Sequence, residues 1–348
     1  MALSGKIDHP GFEQIILPYC GHHRSEVKSG PAFGVDVSLI ELPGELGLAL
    51  TSDPLSLIPS LGLQESAWLS AHLMANDMAT TGFAPQYAQM VLNLPPTLTE
   101  DDFKTYWEFV HQYCKAIGVA ITGGHTGSIE GQNSTIAGGG TMVLTAPFHE
   151  ILLSKYARPG DAIIVTKQCA MSSAAILTMS FPDTVKNKLG IEIYNEGCAL
   201  FYQTSSLADA LAAKAVSPTG LAAMHDVTEG GILGAIYEMA IASGNGVLVY
   251  NDQLPIGEAQ REICGLFDLD PRFCIGAGAM VMAADPAYAP AIVEHLQAQG
   301  IGATIVGELK EQAHGCLLVE NGTANPMPYY SKDPYWAAFY NAYKNGWK

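Results

Sequence analysis

The chain has 348 residues, 48% of them hydrophobic and only 15% charged, with 36 glycines and 20 prolines. That composition describes a turn-rich α/β protein long enough for two domains, and it excludes a disordered chain. A formal net charge of −17 argues against nucleic acid as a partner, because that role needs a basic footprint.

The same acidity has two readings. It can simply serve solubility, or it can reflect carboxylates that hold divalent cations for an anionic substrate. Seven dispersed cysteines (Cys20, Cys114, Cys169, Cys198, Cys264, Cys274, Cys316) contain no CxxC pair, which reads as reduced thiols in a cytoplasmic protein. The first residues lack the apolar stretch of a signal peptide, and no apolar run is long enough to span a membrane.

Residues 1–33 read as an irregular N-terminal segment. A first α/β domain is expected over 34–150. Val35 to Leu42 and Leu46 to Thr51 form a hairpin around Pro43-Gly44. Gln64 to Thr81 follows as a helix with Ala67, Ala71, Met74 and Met78 on one face, ended by Gly82. Tyr87 to Leu94 is a strand, Thr99 to Ile117 an amphipathic helix capped by Thr99, and Val119 to Thr122 and Thr135 to Leu144 are strands. Gly138-Gly139-Gly140 suggests a crowded strand crossing.

Arg158-Pro159-Gly160-Asp161 marks a boundary, and a second α/β domain is expected over 158–330. Its elements are a strand at Ala162 to Thr166, helices near 170–181, 196–215 and 229–243, and a strand at Val247 to Tyr250. Strands at Gly278 to Ala283, Ala303 to Val306 and Cys316 to Val319 enclose a helix at Pro286 to Gln299. Residues 331–348 read as a tail.

The segment His225-Asp226-Val227-Thr228-Glu229-Gly230-Gly231 opens an apolar-periodic helix, with Asp226 or Thr228 as the expected N-cap. Glycine costs roughly 1 kcal/mol in a helix relative to alanine. Gly230 and Gly231 therefore suggest close backbone approach of a ligand such as a phosphate at the helix start, or else a capped helix that merely happens to begin with glycines. Asp36 lies in an apolar strand setting, where aspartate is disfavoured. Asp53 ends a strand, and Asp77 sits at a helix C-terminus, where its charge opposes the dipole. Singly, each reads as a cap or turn residue. Together, such carboxylates suit a hard cation that bridges phosphate oxygens.

Gly123-Gly124-His125-Thr126 reads as a glycine turn near a ligand. Lys28, in a glycine-flanked loop, is either a point charge for a phosphate or merely solvated. Neither GxxxxGK[ST] nor GxGxxG is present. Cys20 with His22 and His23 lacks a fourth metal ligand and reads as a flexible segment.

The ordered motifs Gly-Val-Asp-Val-Ser (34–38), Thr-Ser-Asp-Pro (51–54), Ala-Asn-Asp-Met-Ala-Thr-Thr-Gly (75–82), Gly-Gly-His-Thr (123–126) and His-Asp-Val-Thr-Glu-Gly-Gly (225–231) resemble the aminoimidazole ribonucleotide (AIR) synthetase-like superfamily, nearest its HypE-like and AIR synthase-related members. The resemblance implies a two-domain α/β (α+β) fold. Its N-terminal domain would pair across a homodimer into a β-barrel, and a C-terminal α/β domain would cover it.

The resemblance further implies ATP and Mg2+ in the cleft between domains. Asp36, Asp53, Asp77 and Asp226 would hold the metal, and Asn76 would support them. Gly123, Gly124, His125 and Thr126 would form a nucleotide loop, with Lys28, Gly230 and Gly231 also binding the cofactor. Asp226 and Glu229 would be catalytic. The implied enzyme is a ligase, cyclo-ligase or phosphotransferase that activates an oxygen of a small acceptor, with a maturation partner protein as a further expectation.

Departures from the family pattern matter for the choice of member. HypE ends in a Pro-Arg-Ile-Cys tail that carries the carbamoyl group, whereas this chain ends Asn345-Gly346-Trp347-Lys348, so the reaction on its own tail is not expected. Selenophosphate synthetase is echoed loosely by Cys20 and Lys28, but it has Gly-Phe-Gly where Glu229-Gly230-Gly231 stands. AIR synthetase carries an acid where His125 stands. A non-catalytic nucleotide-binding scaffold, a maturation factor that receives its carbamoyl group on another thiol such as Cys20, and a selenophosphate synthetase-like phosphotransferase are the alternative readings.

Overall fold

A computed structural model describes residues 5–348. The first part of the chain is not wholly irregular. It holds a one-turn helix α1 (His9–Gly11) and the short edge strand β1 (Val27–Ser29). Then come β2 (Ser38–Leu42), β3 (Leu46–Ser56), α2 (Leu63–Ala79), β4 (Tyr87–Leu94), α3 (Glu100–Ala116), β5 (Ala120–Ser128) and β6 (Ile136–Pro147). The strands form one sheet in the order β1-β2-β3-β6-β4-β5, antiparallel except for the pairing of β4 with β5. α3 joins those two parallel strands, as a crossover must.

Helix α2 packs on one face of this sheet because Ala67, Ala71, Met74 and Met78 form its buried stripe. Burying a methionine of that stripe contributes roughly 1.5–3 kcal/mol. The strands alternate accordingly: Ala88, Met90 and Leu92 of β4 face the helix, while Tyr87, Gln89 and Val91 stay exposed on the other face. Thr99 caps α3 by accepting from the Asp102 N–H. The Gly138 crowding is real, since a Cβ there would run into the Val91 carbonyl, and its φ of 141° is open mainly to glycine.

The second half contributes β7 (Ala162–Thr166), α4 (Met171–Ser180), α5 (Pro182–Leu189), α6 (Ile191–Ala199), α7 (Leu207–Val216), β8 (Leu221–Asp226), α8 (Gly231–Ala242) and β9 (Gly246–Tyr250). Then follow α9 (Glu258–Leu266), β10 (Met280–Ala284), α10 (Ala289–Ala298), β11 (Ala303–Lys310), β12 (Cys316–Glu320), β13 (Thr323–Pro326) and α11 (Pro334–Lys344). Their sheet runs β13-β12-β9-β11-β7-β10-β8. β7 and β10 are buried on both faces. Ile232, Ile236 and Met239 of α8 cover one side, and Ala210 of α7 with Ile292 and Leu296 of α10 cover the other.

Five sequence expectations change. The helix read at 196–215 divides into α6 and α7, with a short turn at Phe201–Gln203 between them. β8 was not expected, yet it delivers His225 and Asp226. The tail from 331 contains α11, whose Tyr335 is buried. Asp36 lies just before β2 rather than inside a strand, and Asp53 lies within a continuous β3, opposite Gly140.

The two halves are pinned together beside the site. The Asn76 side chain on α2 donates to the Thr204 carbonyl (3.0 Å) and accepts from the Ser206 N–H (2.8 Å). The Trp68 indole N–H donates to Thr204 Oγ1 (2.9 Å).

Candidate functional site

At its C-terminal end β8 places His225 opposite Val281 and Asp226 opposite Met280, both residues buried. Asp36 reaches them from the loop before β2. Gly34 fixes that loop: its φ of 69° favours glycine, and a Cβ would collide with the Glu238 backbone on α8. Ser154 Oγ also donates to the Gly34 carbonyl. Asp36 Oδ2 lies 2.7 Å from His225 Nδ1, and Glu238 Oε2 lies 3.3 Å from His225 Nε2. Asp36, His225 and Asp226 present polar atoms within 4.8 Å of one another. Asp77 enters from α2, its Oδ2 accepting from Thr51 Oγ1 at 2.7 Å, and Asp53 comes from β3.

Both imidazole nitrogens of His225 face carboxylates, so this ring serves as a charged spacer rather than a metal ligand. Burial alone would depress its pKa, but Asp36 and Glu238 reverse that and hold it well above the ordinary histidine value. Burial would raise Glu238, yet the hydrogen bond from His225 and the charge of Lys6 bring it below the ordinary value. The carboxylates around this pair behave oppositely. Burial, then the charge of Asp36, pushes Asp226 up to about 7 against the relief given by His225 and Lys6. Burial pushes Asp53 to about 6, with Lys6 opposing and Glu229 assisting. Burial, then Asp226, Asp53 and Asp36, raises Asp77 well above the carboxylate range despite the Thr51 hydrogen bond. Buried like charges strain one another unless a cation joins them.

Asp36 and Asp226 therefore lie side by side with His225, the charges of Asp36, Asp53 and Asp226 all bear on Asp77, and the hard oxygen donors of this group fit Mg2+. Asn76 is adjacent, but its amide is spent on the Thr204 and Ser206 backbone, which makes it a positioning residue for α2. Glu229 is half-buried in the segment between β8 and α8. Its Oε1 accepts from the Trp336 indole (3.0 Å) and its Oε2 from the Lys6 backbone N–H (2.8 Å).

The start of α8 departs from the expected open phosphate cradle. Gly230, not Asp226 or Thr228, is the N-cap. Its N–H donates to Asp333 Oδ2 (2.7 Å), the Gly231 N–H to the Thr228 carbonyl, and the Leu233 N–H to the Arg272 carbonyl. Here the glycines answer to the chain itself. Gly231 has φ 65°, and a Cβ would press on the Arg272 and Cys274 carbonyls. The same Asp333 caps α11 through the Tyr335 N–H. Burial raises its carboxyl to about 6.

Gly123, Gly124, His125 and Thr126 form part of strand β5 rather than a turn. They sit on the outer edge of the sheet, exposed and paired with β4. Gly124 has φ 146°, and a Cβ would overlap the Met90 carbonyl. Lys28 Nζ pairs with Glu41 (2.9 Å) across β1 and β2 and donates to the Ser25 carbonyl. No contact joins it to the carboxylate cluster among the described residues.

Sequence reasoning assigned no role to four participants. Glu238 carried a signal, an acid in an otherwise apolar helix that must be paired when buried. His225 stood in the motif beside Asp226. Lys6 and Asp333 carried none, since their partners Thr228 and Gly230 lie 222 and 103 residues away.

Two family descriptions match the chain: the AIR synthase related protein N-terminal domain over residues 34–144 and the corresponding C-terminal domain over 158–320. Carbamoyl dehydratase HypE of Escherichia coli is 25% identical over 247 residues, 68% of each chain. A solved structure of hydrogenase maturation protein HypE in complex with ATP superposes with a TM-score of 0.70 at 18% identity, covering 94% of this chain and 96% of that one. HypE in a HypE–HypF complex gives 0.72 at 18% identity, covering 92% and 99%. The two-sheet architecture, the ordered aspartates and these matches together make the chain a member of the AIR synthase-related family.

Proposed function

We propose that the protein is an ATP- and Mg2+-dependent enzyme that activates an oxygen of a small acceptor by phosphoryl transfer, in the manner of the HypE-like branch. The observation that supports this reading is the grouping of Asp36 of the first half with Asp226 of the second, together with the mutual charge influence of Asp36, Asp53, Asp77 and Asp226. When bound, the metal would screen charge on the phosphate oxygens. The protein's own residues do the rest. His225 and Glu238 hold Asp36 in place, Thr51 holds Asp77, and Asn76 locks α2 against the second half. Asp226, whose carboxyl rises to about 7 in the metal-free protein, would give up that proton on binding the metal.

The exposed apolar residues Tyr87 and Val91 on the open face of the first sheet support a homodimer closed through that face. Gly123 to Thr126 on its outer edge would then stand at the subunit boundary. A maturation partner protein, as in the HypE–HypF complex, belongs to the same proposal.

The reading is tested by incubating the protein with Mg·ATP and a panel of carboxylate, carboxamide and phosphate acceptors while phosphorus NMR follows the products. Acceptor-dependent release of ADP or AMP supports an enzyme. Tight ATP binding without turnover on any acceptor would favour the scaffold.

A pH dependence follows from the raised carboxyls. Between the ordinary value of 3.8 and the folded values of about 6 for Asp53 and about 7 for Asp226, the folded chain holds protons that the unfolded chain has released. Metal-free stability attributable to these groups therefore falls as pH rises through that window. A divalent cation competes with the same protons, so its affinity should rise by about tenfold or more between about pH 5.5 and about pH 8. Calorimetric titration with Mn2+ at both values checks this, and equal affinities would contradict it.

A further inference from the structure

We propose that the N-terminal strap around Lys6 is a tethered resident cation of the carboxylate cluster, and that divalent metal and the Lys6 ammonium exclude one another there. The proposal rests on the metal reading above and goes beyond it.

Lys6 Nζ donates to Thr228 Oγ1 at 2.8 Å, in the segment between Asp226 and Glu229. Its backbone N–H donates to Glu229 Oε2 at 2.8 Å. The strap lies hard against that carboxylate: a Cβ on Gly5, whose φ is 88°, would stand 2.7 Å from Glu229 Oε2. Three residues on, the His9 ring stacks on Phe33 at 4.0 Å, next to the Gly34 to Asp36 loop. The strap thus spans from the β8–α8 loop to the loop that carries Asp36.

The charge balance fits. Burial would lower the Lys6 ammonium, but Glu238, Asp226, Asp36 and Asp77 outweigh it and raise its pKa. Among the described residues, Lys6 is a cation whose charge is felt by Glu238, Asp226, Asp36 and Asp77, and the ring of His225 is already committed to Asp36 and Glu238. One ammonium supplies a single charge where a divalent ion supplies two, so the crowding left on Asp53, Asp77 and Asp226 is what a metal would relieve.

The anchoring suits displacement. Residues 5–8 pair with no strand and each keeps exposed surface, with only the charged end of the Lys6 side chain shielded by the cluster. Apart from the Phe33 stack, polar contacts to Thr228 and Glu229 hold the strap in place. Such a segment can leave without disturbing a hydrophobic core.

The test uses the full chain as wild type, Lys6→Gln and Lys6→Arg, with Mn2+ as the probe. Calorimetry should give about tenfold tighter Mn2+ binding for Lys6→Gln and wild-type affinity for Lys6→Arg. In the wild type, Mn2+ should speed tryptic cleavage after Lys6, read by mass spectrometry, because the strap is expelled. Equal or weaker Mn2+ binding by Lys6→Gln, or cleavage that Mn2+ slows or leaves unchanged, overturns the proposal while sparing the metal site. Absence of Mn2+ binding in wild type and Lys6→Gln alike overturns the metal reading and the strap with it.

Discussion

Replacing Asp77 with asparagine should weaken Mg·ATP binding on the order of 100-fold while the fold survives with equal or higher melting temperature. The opposite signs come from one cause. Asp77 is held among Asp226, Asp53 and Asp36, which raise its pKa together with burial. Asparagine keeps the shape and still accepts from Thr51, whose hydroxyl donates to Oδ2 at 2.7 Å, but it removes one buried like charge. A site that is electrostatically strained without its cation gives up stability for ligand affinity. Calorimetry with Mg·ATP and a thermal melt of the metal-free protein read the two effects separately. Unchanged affinity would remove Asp77 from the site, and a large drop in melting temperature would make its role structural.

The second large effect is expected at His225. Changing it to glutamine leaves Asp36 and Glu238 buried without the cation between them, and breaking a buried pair in this way costs about 3–5 kcal/mol. The apparent melting temperature should fall by about 4–7 °C. Because the folded pKa of His225 is raised, its stabilisation is complete below the unfolded value of 6.5. It is lost only as pH climbs through the elevated one. The deficit of the variant should therefore be full under mildly acidic conditions and shrink in alkali. Adding Glu238→Gln to the same chain should restore part of the loss, because one of the stranded charges disappears. A His225→Gln protein that melts like the wild type at neutral pH would show that the ring is neutral and the ion-pair account mistaken.

The architecture was legible where periodicity is strong. The 4-3-4 spacing of α2, the capped α3 and the hairpin of β2 and β3 all follow from residues close in sequence. Asp77 stood out because a charge near a helix C-terminus opposes the dipole, whereas the expectation for Asp36, a charge inside a strand, does not hold, since it lies before β2. Glycine misled in two places. Gly123 and Gly124 read as a turn because glycine breaks regular structure, yet here they belong to an edge strand that must pass close to Met90. Gly230 and Gly231 read as a phosphate cradle, yet Asp333 of the distant C-terminal segment takes the first amide. Lys6 was invisible, since nothing local distinguishes a lysine that reaches across the chain to Thr228 from one in solvent.

The account stands most directly on calorimetric titration of ATP into the purified protein, with and without Mg2+. Micromolar binding that appears only with the metal is the predicted result, since a group of carboxylates would repel a triphosphate unless a cation lay between them. Binding of equal strength with and without Mg2+, or no binding in either case, would contradict the claim that these carboxylates form a metal–nucleotide site.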